Sequence, residues 1–445
     1  MRRGSWTALI CALAAVGCGD GATGSVNNPE GPPTGGDPGG SSGGSIATAP
    51  PTPGPGGTPP SSSSGSSGAV GSGSGSGAGS ASAPDAGAEA GSAVLDERVV
   101  DYGEALRTAS LKLVGDLPTL AQIHAIENAG SAAQQATVYA ADIDAMLADP
   151  RFATQMIEYW RDIFKTGDQP LPAGTKPVKG APDLDTAATF AAQVVVAGRP
   201  FTDILTATTG TCPTFASGAF TAANCNNNAP TAGVLTDPGI QSQYFAHMAF
   251  RRTRFVQEIF VCSPFPAEYS TTPTQMGQSL YTSPWPFTSI AGGASAPINF
   301  QDTSAVICAN CHTTLNHIAP LFSYFDANGN YVAGQVQVQT PVVPPVTSQL
   351  SDWLPAGQQT FAWRDGTAVT DIPSLALAIA ADPDVPMCAV NRVWDWAFNR
   401  GDIVNDLATI PTTVTQTFVQ DFTKNGMNLQ KIIREIFTSD DFVRF

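Results

Sequence analysis

The chain has 445 residues, 37 acidic side chains against 21 Lys and Arg, and a formal charge of −16 spread along its length rather than gathered in runs. That balance argues against nucleic acid and against an anionic membrane surface as partners. Length alone would allow two or three domains, but the first hundred residues hold too little apolar side chain to join a packed core.

Residues 1–17 read as a secretory signal: Arg2 and Arg3 precede an apolar run, Ala8 to Val16, that is too short to span a bilayer. The run ends Ala15-Val16-Gly17-Cys18 and resembles the bacterial lipobox, in which the cysteine thiol is lipidated and becomes the new N-terminus. Ala15 stands where leucine is usual, and the alternative is an ordinary signal with Cys18 incidental. Lipidation at Cys18 implies a protein anchored to a membrane but not spanning it. Gly19 in place of aspartate after it points to the outer membrane of a bacterial cell envelope. From Gly19 to Val94 the chain is almost entirely Gly, Ser, Pro, Ala and Thr, without Lys or Arg. Residues 18–95 therefore read as a disordered tether, whose reach as a flexible coil is about 45–50 Å.

The folded part divides into a helical region, 96–262, and a second helical region, 263–445. Apolar spacing of three and four predicts helices from Val99 to Val114, through Ile126 after an Asp116-Leu117-Pro118 start, and from Ala132 to Leu147. Asp149-Pro150 starts another, which places Phe152, Met156, Tyr159, Trp160 and Phe164 on one side as core. Helices from Thr186 to Ala197 and after Pro200 follow, and then a turn-rich excursion from Thr209 to Asp237. Gly239 to Cys262 reads as one long helix carrying His247, Met248 and the arginines 251, 252 and 254, which form a solvated basic face or, as the alternative, pair their guanidinium forks with haem propionates. After a proline-rich stretch, Tyr331 to Val338 is expected to pair with Thr360 to Val369 as a hairpin. Helices from Pro373, from Pro386, from Thr412 to Phe422 and from Asn428 to Phe437 close the chain. The expected fold is mainly α: a multi-helix domain with one small β-hairpin behind a long disordered linker.

The chemistry-bearing stretch is Cys308-Ala309-Asn310-Cys311-His312. Two thiols three residues apart share one face of a helical turn, where they can add to the vinyl groups of one haem, and the adjoining imidazole can ligate the iron. Cys308, Cys311 and His312 are the expected cofactor-binding residues for one covalent haem c, with His312 as proximal ligand. A zinc site would need a second cysteine pair, and a thioredoxin-like pair an alternating α/β sequence, and neither is present. For the distal side of the iron Met387 and His247 are the leading candidates, with an open position as the alternative.

Of the eight cysteines, Cys11, Cys18 and the two in the motif leave Cys212, Cys225, Cys262 and Cys388. In an oxidising compartment four cysteines allow three pairings, and Cys212–Cys225 as a loop staple with Cys262–Cys388 as a long-range clamp is the expectation, free buried thiols being the alternative.

Several stretches together resemble one family, the cytochrome-like proteins of planctomycetes and myxobacteria built from consecutive domains of unknown function. The likeness rests on Lys112 to Pro118, Met146 to Phe152, Phe245 to Cys262, Cys308 to Tyr331, Pro386 to Arg400 and Asn428 to Phe442. The family usually reads Met-Asp-Pro-x-Gly after the motif, where this chain has Leu315-Asn316-His317-Ile318-Ala319. The resemblance implies an exported haem protein with no established reaction. Three functions stay open: single-electron transfer to an envelope redox partner protein, a haem-dependent oxidoreductase or peroxidase-like enzyme, and a structural or binding lipoprotein.

Overall fold

The computed structural model describes residues 97–166, 181–245, 249–263, 315, 317–333, 361–364, 366–400 and 410–445, together with four two-residue strands between 286 and 347. Residues 1–96, which include the expected signal and tether, and the CxxCH motif itself lie outside the described residues, as does His247.

The protein is mainly helical. Each early helix begins where a short polar side chain answers its unpaired amides. Asp101 accepts from Gly103 and Glu104 at the start of α1 (Tyr102–Leu113). Thr119 and Gln122 form a capping box for α2 (Leu120–Glu127), so the cap is Thr119 and not the expected Asp116. Ser131 caps α3 (Ala132–Ala148), and Asp149 with Pro150 opens α4 (Pro150–Phe164). The five apolar residues expected on one side of α4 are all buried, and α4 packs along α5 (Thr186–Val196). A short α6 (Asp203–Thr206) leads to the hairpin β1 (Thr214–Ala216) and β2 (Ala219–Thr221).

The long helix expected over Gly239 to Cys262 is two helices. Asp237 and Pro238 start α7 (Pro238–Gln243), and α8 (Phe250–Val261) begins after Ala249, which has φ 58°. A left-handed residue cannot continue an α-helix, so the axis breaks there. The expected strand pairing is also corrected. Strand β5 (Gln337–Val338) pairs with β6 (Val346–Thr347), and β7 (Phe361–Ala362) pairs with β8 (Ala368–Val369). A further pair joins β3 (Pro286–Phe287) to β4 (Ile298–Asn299), so every described strand pairs with its neighbour in sequence. Short closures like these cost less chain entropy than the longer one expected.

Among the described residues the last four helices, α9 (Ile372–Ala380), α10 (Asp384–Ala397), α11 (Thr412–Lys424) and α12 (Leu429–Phe437), return to the first. Helix α10 packs on α8, α11 and α12, and the Tyr139 hydroxyl of α3 donates to the Phe437 carbonyl at the end of α12. The two ends of the folded part pair with each other: Val99 and Phe445 exchange N–H to O bonds of 3.1 and 3.0 Å. Among the described residues no single helix is long and apolar enough to cross a bilayer.

Candidate functional site

Among the described residues two disulfides are formed, Cys212–Cys225 and Cys262–Cys388, with Cα separations of 5.0 and 5.4 Å. The second joins the C-cap of α8 to the first turn of α10, and Arg392 on α10 adds a bond of 3.0 Å from Nη2 to the Glu258 carbonyl. Helix α8 thus has a covalent and a polar link to α10.

The segment that follows the CxxCH motif is tied to the other end of α8. Residues 317–322 form a helical segment with Ile318, Leu321 and Phe322 buried, and a turn follows at Asp326 to Asn330. Arg252, 2% exposed, directs its guanidinium to main-chain carbonyls on both sides. Its Nε donates to Gln241 at 3.0 Å, its Nη1 to Phe322 and Phe325 at 2.7 and 3.0 Å, and its Nη2 to Asp326 at 3.0 Å and again to Gln241. The rings of Phe245 and Phe325 lie 5.3 and 5.8 Å from its centre. Burial lowers the Arg252 pKa to about 9, opposed by Asp326, and the group remains a cation at neutral pH. Arg252 is therefore neither a propionate partner nor part of a solvated basic face, because all its N–H groups face carbonyls or rings of its own chain. Arg254 pairs with Glu258 at 2.7 Å, and Arg251 lies over the Tyr244 ring at 5.7 Å.

The turn itself is built for close approach. The Asp326 carboxylate accepts from the Asn328 and Asn330 amides, each at 2.8 Å, which uses the acidic side chain inside the turn. Gly329 has φ 73°, and a Cβ there would lie 2.2 Å from the Pro238 carbonyl oxygen. Asn227 completes the attachment: its Nδ2 donates to the carbonyls of Thr236 and Gly329, and its own carbonyl accepts from Tyr331.

Of the residues expected to hold haem, Cys308, Cys311 and His312 lie outside the described residues, as do His247 and the lipidation candidate Cys18. Met387 is half-buried in the first turn of α10, beside Cys388. The positioning residues Arg252, Asn227 and Gly329 were not legible as such. Asn226-Asn227-Asn228 signals a turn, but nothing local shows that its middle member reaches a carbonyl 102 residues away.

Residues 91–204 match the family model described as PSCyt2: Protein of unknown function (DUF1549). The match runs from residue 91 through α1 to α5 and into α6, on the N-terminal side of the CxxCH motif. No curated protein and no solved structure matches the chain.

Proposed function

We propose that this protein is an exported, lipid-anchored monohaem c-type cytochrome-like protein that passes single electrons within the bacterial cell envelope. The observation that carries the reading is the donor set: two thiols and an imidazole in the order and spacing that covalent haem requires. Cys308 and Cys311 would form the thioether bonds, and His312 would face the iron. Haem held there supplies a one-electron iron couple.

The described structure supports the reading through what surrounds the motif in sequence. A redox centre works best when its ligands keep their positions through the change of charge. Arg252 binds the segment after the motif to the N-terminal half of α8, and the Cys262–Cys388 bond fixes the other end of α8 to α10. Met387 adjoins that bond and is not packed into the core, which leaves its thioether as a distal ligand candidate, and His247 is the other. Cys18 would carry the lipid, and residues 18–95 would hold the folded part clear of the bilayer.

The test is expression of the full chain with a cytochrome c maturation system, followed by a denaturing gel stained for haem. A haem band at the protein's position is expected, and its absence overturns the proposal. Labelling with a radioactive fatty acid, lost in Cys18→Ala, checks the anchor separately.

A further inference from the structure

The Cys212–Cys225 bond sits directly over a buried carboxyl group. Both cysteines are half-buried at the base of the β1–β2 hairpin; Asn224 and Asn226, which flank Cys225, are exposed, whereas Thr211 and Pro213, which flank Cys212, are buried. On the inner side Asp237 is fully enclosed, with 0% exposure, and its Oδ2 lies 3.7 Å from Cys212 Sγ. Its other oxygen, Oδ1, accepts the Ile240 amide at 3.0 Å and so caps α7. The Thr211 hydroxyl, itself buried, lies 3.4 Å from Cys225 Sγ. The two sulfurs thus have different surroundings: Cys212 lies beside an acid between buried neighbours, and Cys225 lies between exposed ones.

From this geometry we infer that Cys212–Cys225 is a thiol–disulfide exchange site for dithiols, in which Asp237 protonates the departing sulfur of Cys212. The inference is independent of the haem reading.

The step balances as follows. A thiolate of the dithiol attacks Cys225 Sγ; a new sulfur–sulfur bond forms, and the Cys212–Cys225 bond breaks with its electron pair leaving on Cys212 Sγ. That sulfur takes the proton from Asp237 Oδ2, and the Asp237 carboxylate regains a proton from water. The second thiolate of the dithiol then displaces Cys225, which is protonated by solvent. The dithiol loses two electrons and two protons, and the cysteine pair gains both.

The charge environment favours a protonated Asp237. Burial, with a further contribution from Asp183, raises its pKa to about 7 against the pull of the Ile240 and Gly239 amides. Asp183, on the approach to α5, is the charged group acting on it, and Asp185 beyond is held by Arg161 at 2.8 Å. Neither the hairpin and its flanks, residues 210–232, nor residues 233–243 contain another Asp, Glu, Lys, Arg or His. Among the described residues no carboxyl group lies in such a cluster with the sulfurs of the other disulfide, and its Cys388 is 1% exposed.

The experiment titrates the full-length protein with dithiothreitol, quenches with a thiol alkylator and maps each disulfide by mass spectrometry. Cys212–Cys225 is expected to open at least about 10-fold faster than Cys262–Cys388. Its rate per reductant thiolate should fall about 5-fold or more from pH 6 to pH 8, as Asp237 loses the proton that it gives. In Asp237→Asn, which keeps an oxygen to cap α7, the rate at pH 6 should drop by about 5-fold or more and the pH profile become flat. In Asp183→Asn the break in the profile should move to lower pH. Equal resistance of the two disulfides overturns the inference. So does a normalised wild-type rate that is flat across pH 7, whichever variants fold, or a profile that Asp237→Asn leaves unchanged.

Discussion

Arg252 Nη1 donates to the Phe322 carbonyl at 2.7 Å, joining residues 70 apart in the chain that stand on opposite sides of the CxxCH motif in sequence. The contact also draws in Gln241, Phe325 and Asp326, so one side chain satisfies carbonyls from two separate segments. Arg252→Met would leave those carbonyls buried without donors. The expected loss is about 3–5 kcal/mol in urea unfolding, with Arg252→Lys recovering part of it, because an ammonium has fewer donors and no planar fork. A loss under about 1 kcal/mol would count against the role given to this side chain.

Two glycines with nearly equal φ separate backbone strain from crowding. Gly329 (φ 73°) would place a Cβ against Pro238, whereas Gly426 (φ 71°) has nothing within 4 Å. Gly426→Ala should cost about 1–2 kcal/mol for the left-handed conformation alone. Gly329→Ala should cost roughly twice that or more, since main chain must move as well. Equal midpoint shifts in paired denaturation curves would show that Pro238 yields freely.

The two disulfides close loops of very different length, with sequence separations of 13 and 126. Chain-entropy arguments give about 3 kcal/mol for the first and about 5 kcal/mol for the second. Replacing both cysteines of each pair by serine in turn should preserve that order, and calorimetry of the two variants checks it.

Two buried carboxyl groups act on stability with opposite sign. Asp237 binds its proton more tightly folded than unfolded, so its contribution is greatest below pH 4 and declines as pH rises toward about 7. Burial also pushes Asp382 upward, but bonds from Arg364, the Asp384 amide and Trp363 prevail and hold its pKa below the usual carboxylate value. Its contribution is present above pH 4 and is lost as pH falls through the folded pKa. Asp237→Asn should therefore gain stability relative to wild type between pH 4 and 7, whereas Asp382→Asn should lose most at neutral pH. Urea midpoints at three pH values are sufficient to see both.

If haem is attached as proposed, Cys308→Ser with Cys311→Ser should abolish the haem stain. Met387→Ala and His247→Ala should divide cleanly: the variant that removes the distal ligand converts a low-spin optical spectrum to a high-spin one, and the other leaves it unchanged. A wild-type iron that binds carbon monoxide freely would favour the enzyme reading.

The sequence by itself determined the helical class, the approximate bounds of most helices and the residues of the proposed haem site, because each depends on local relations. Apolar period and spacing between donors lie within a few turns of chain, and caps such as Asp149-Pro150 act on the next few amides. The pairing expected for the four remaining cysteines, one of three allowed, is the one that the structure forms. The same structure broke the expected helix at Ala249 and divided the expected strand pair into two separate ones. It also decided what Arg252, Asn227 and Asp237 do. A guanidinium, an amide and a carboxyl group carry the same local signal on a surface as in a core, and their partners here are mostly carbonyls or sulfurs brought close by the packing of distant segments.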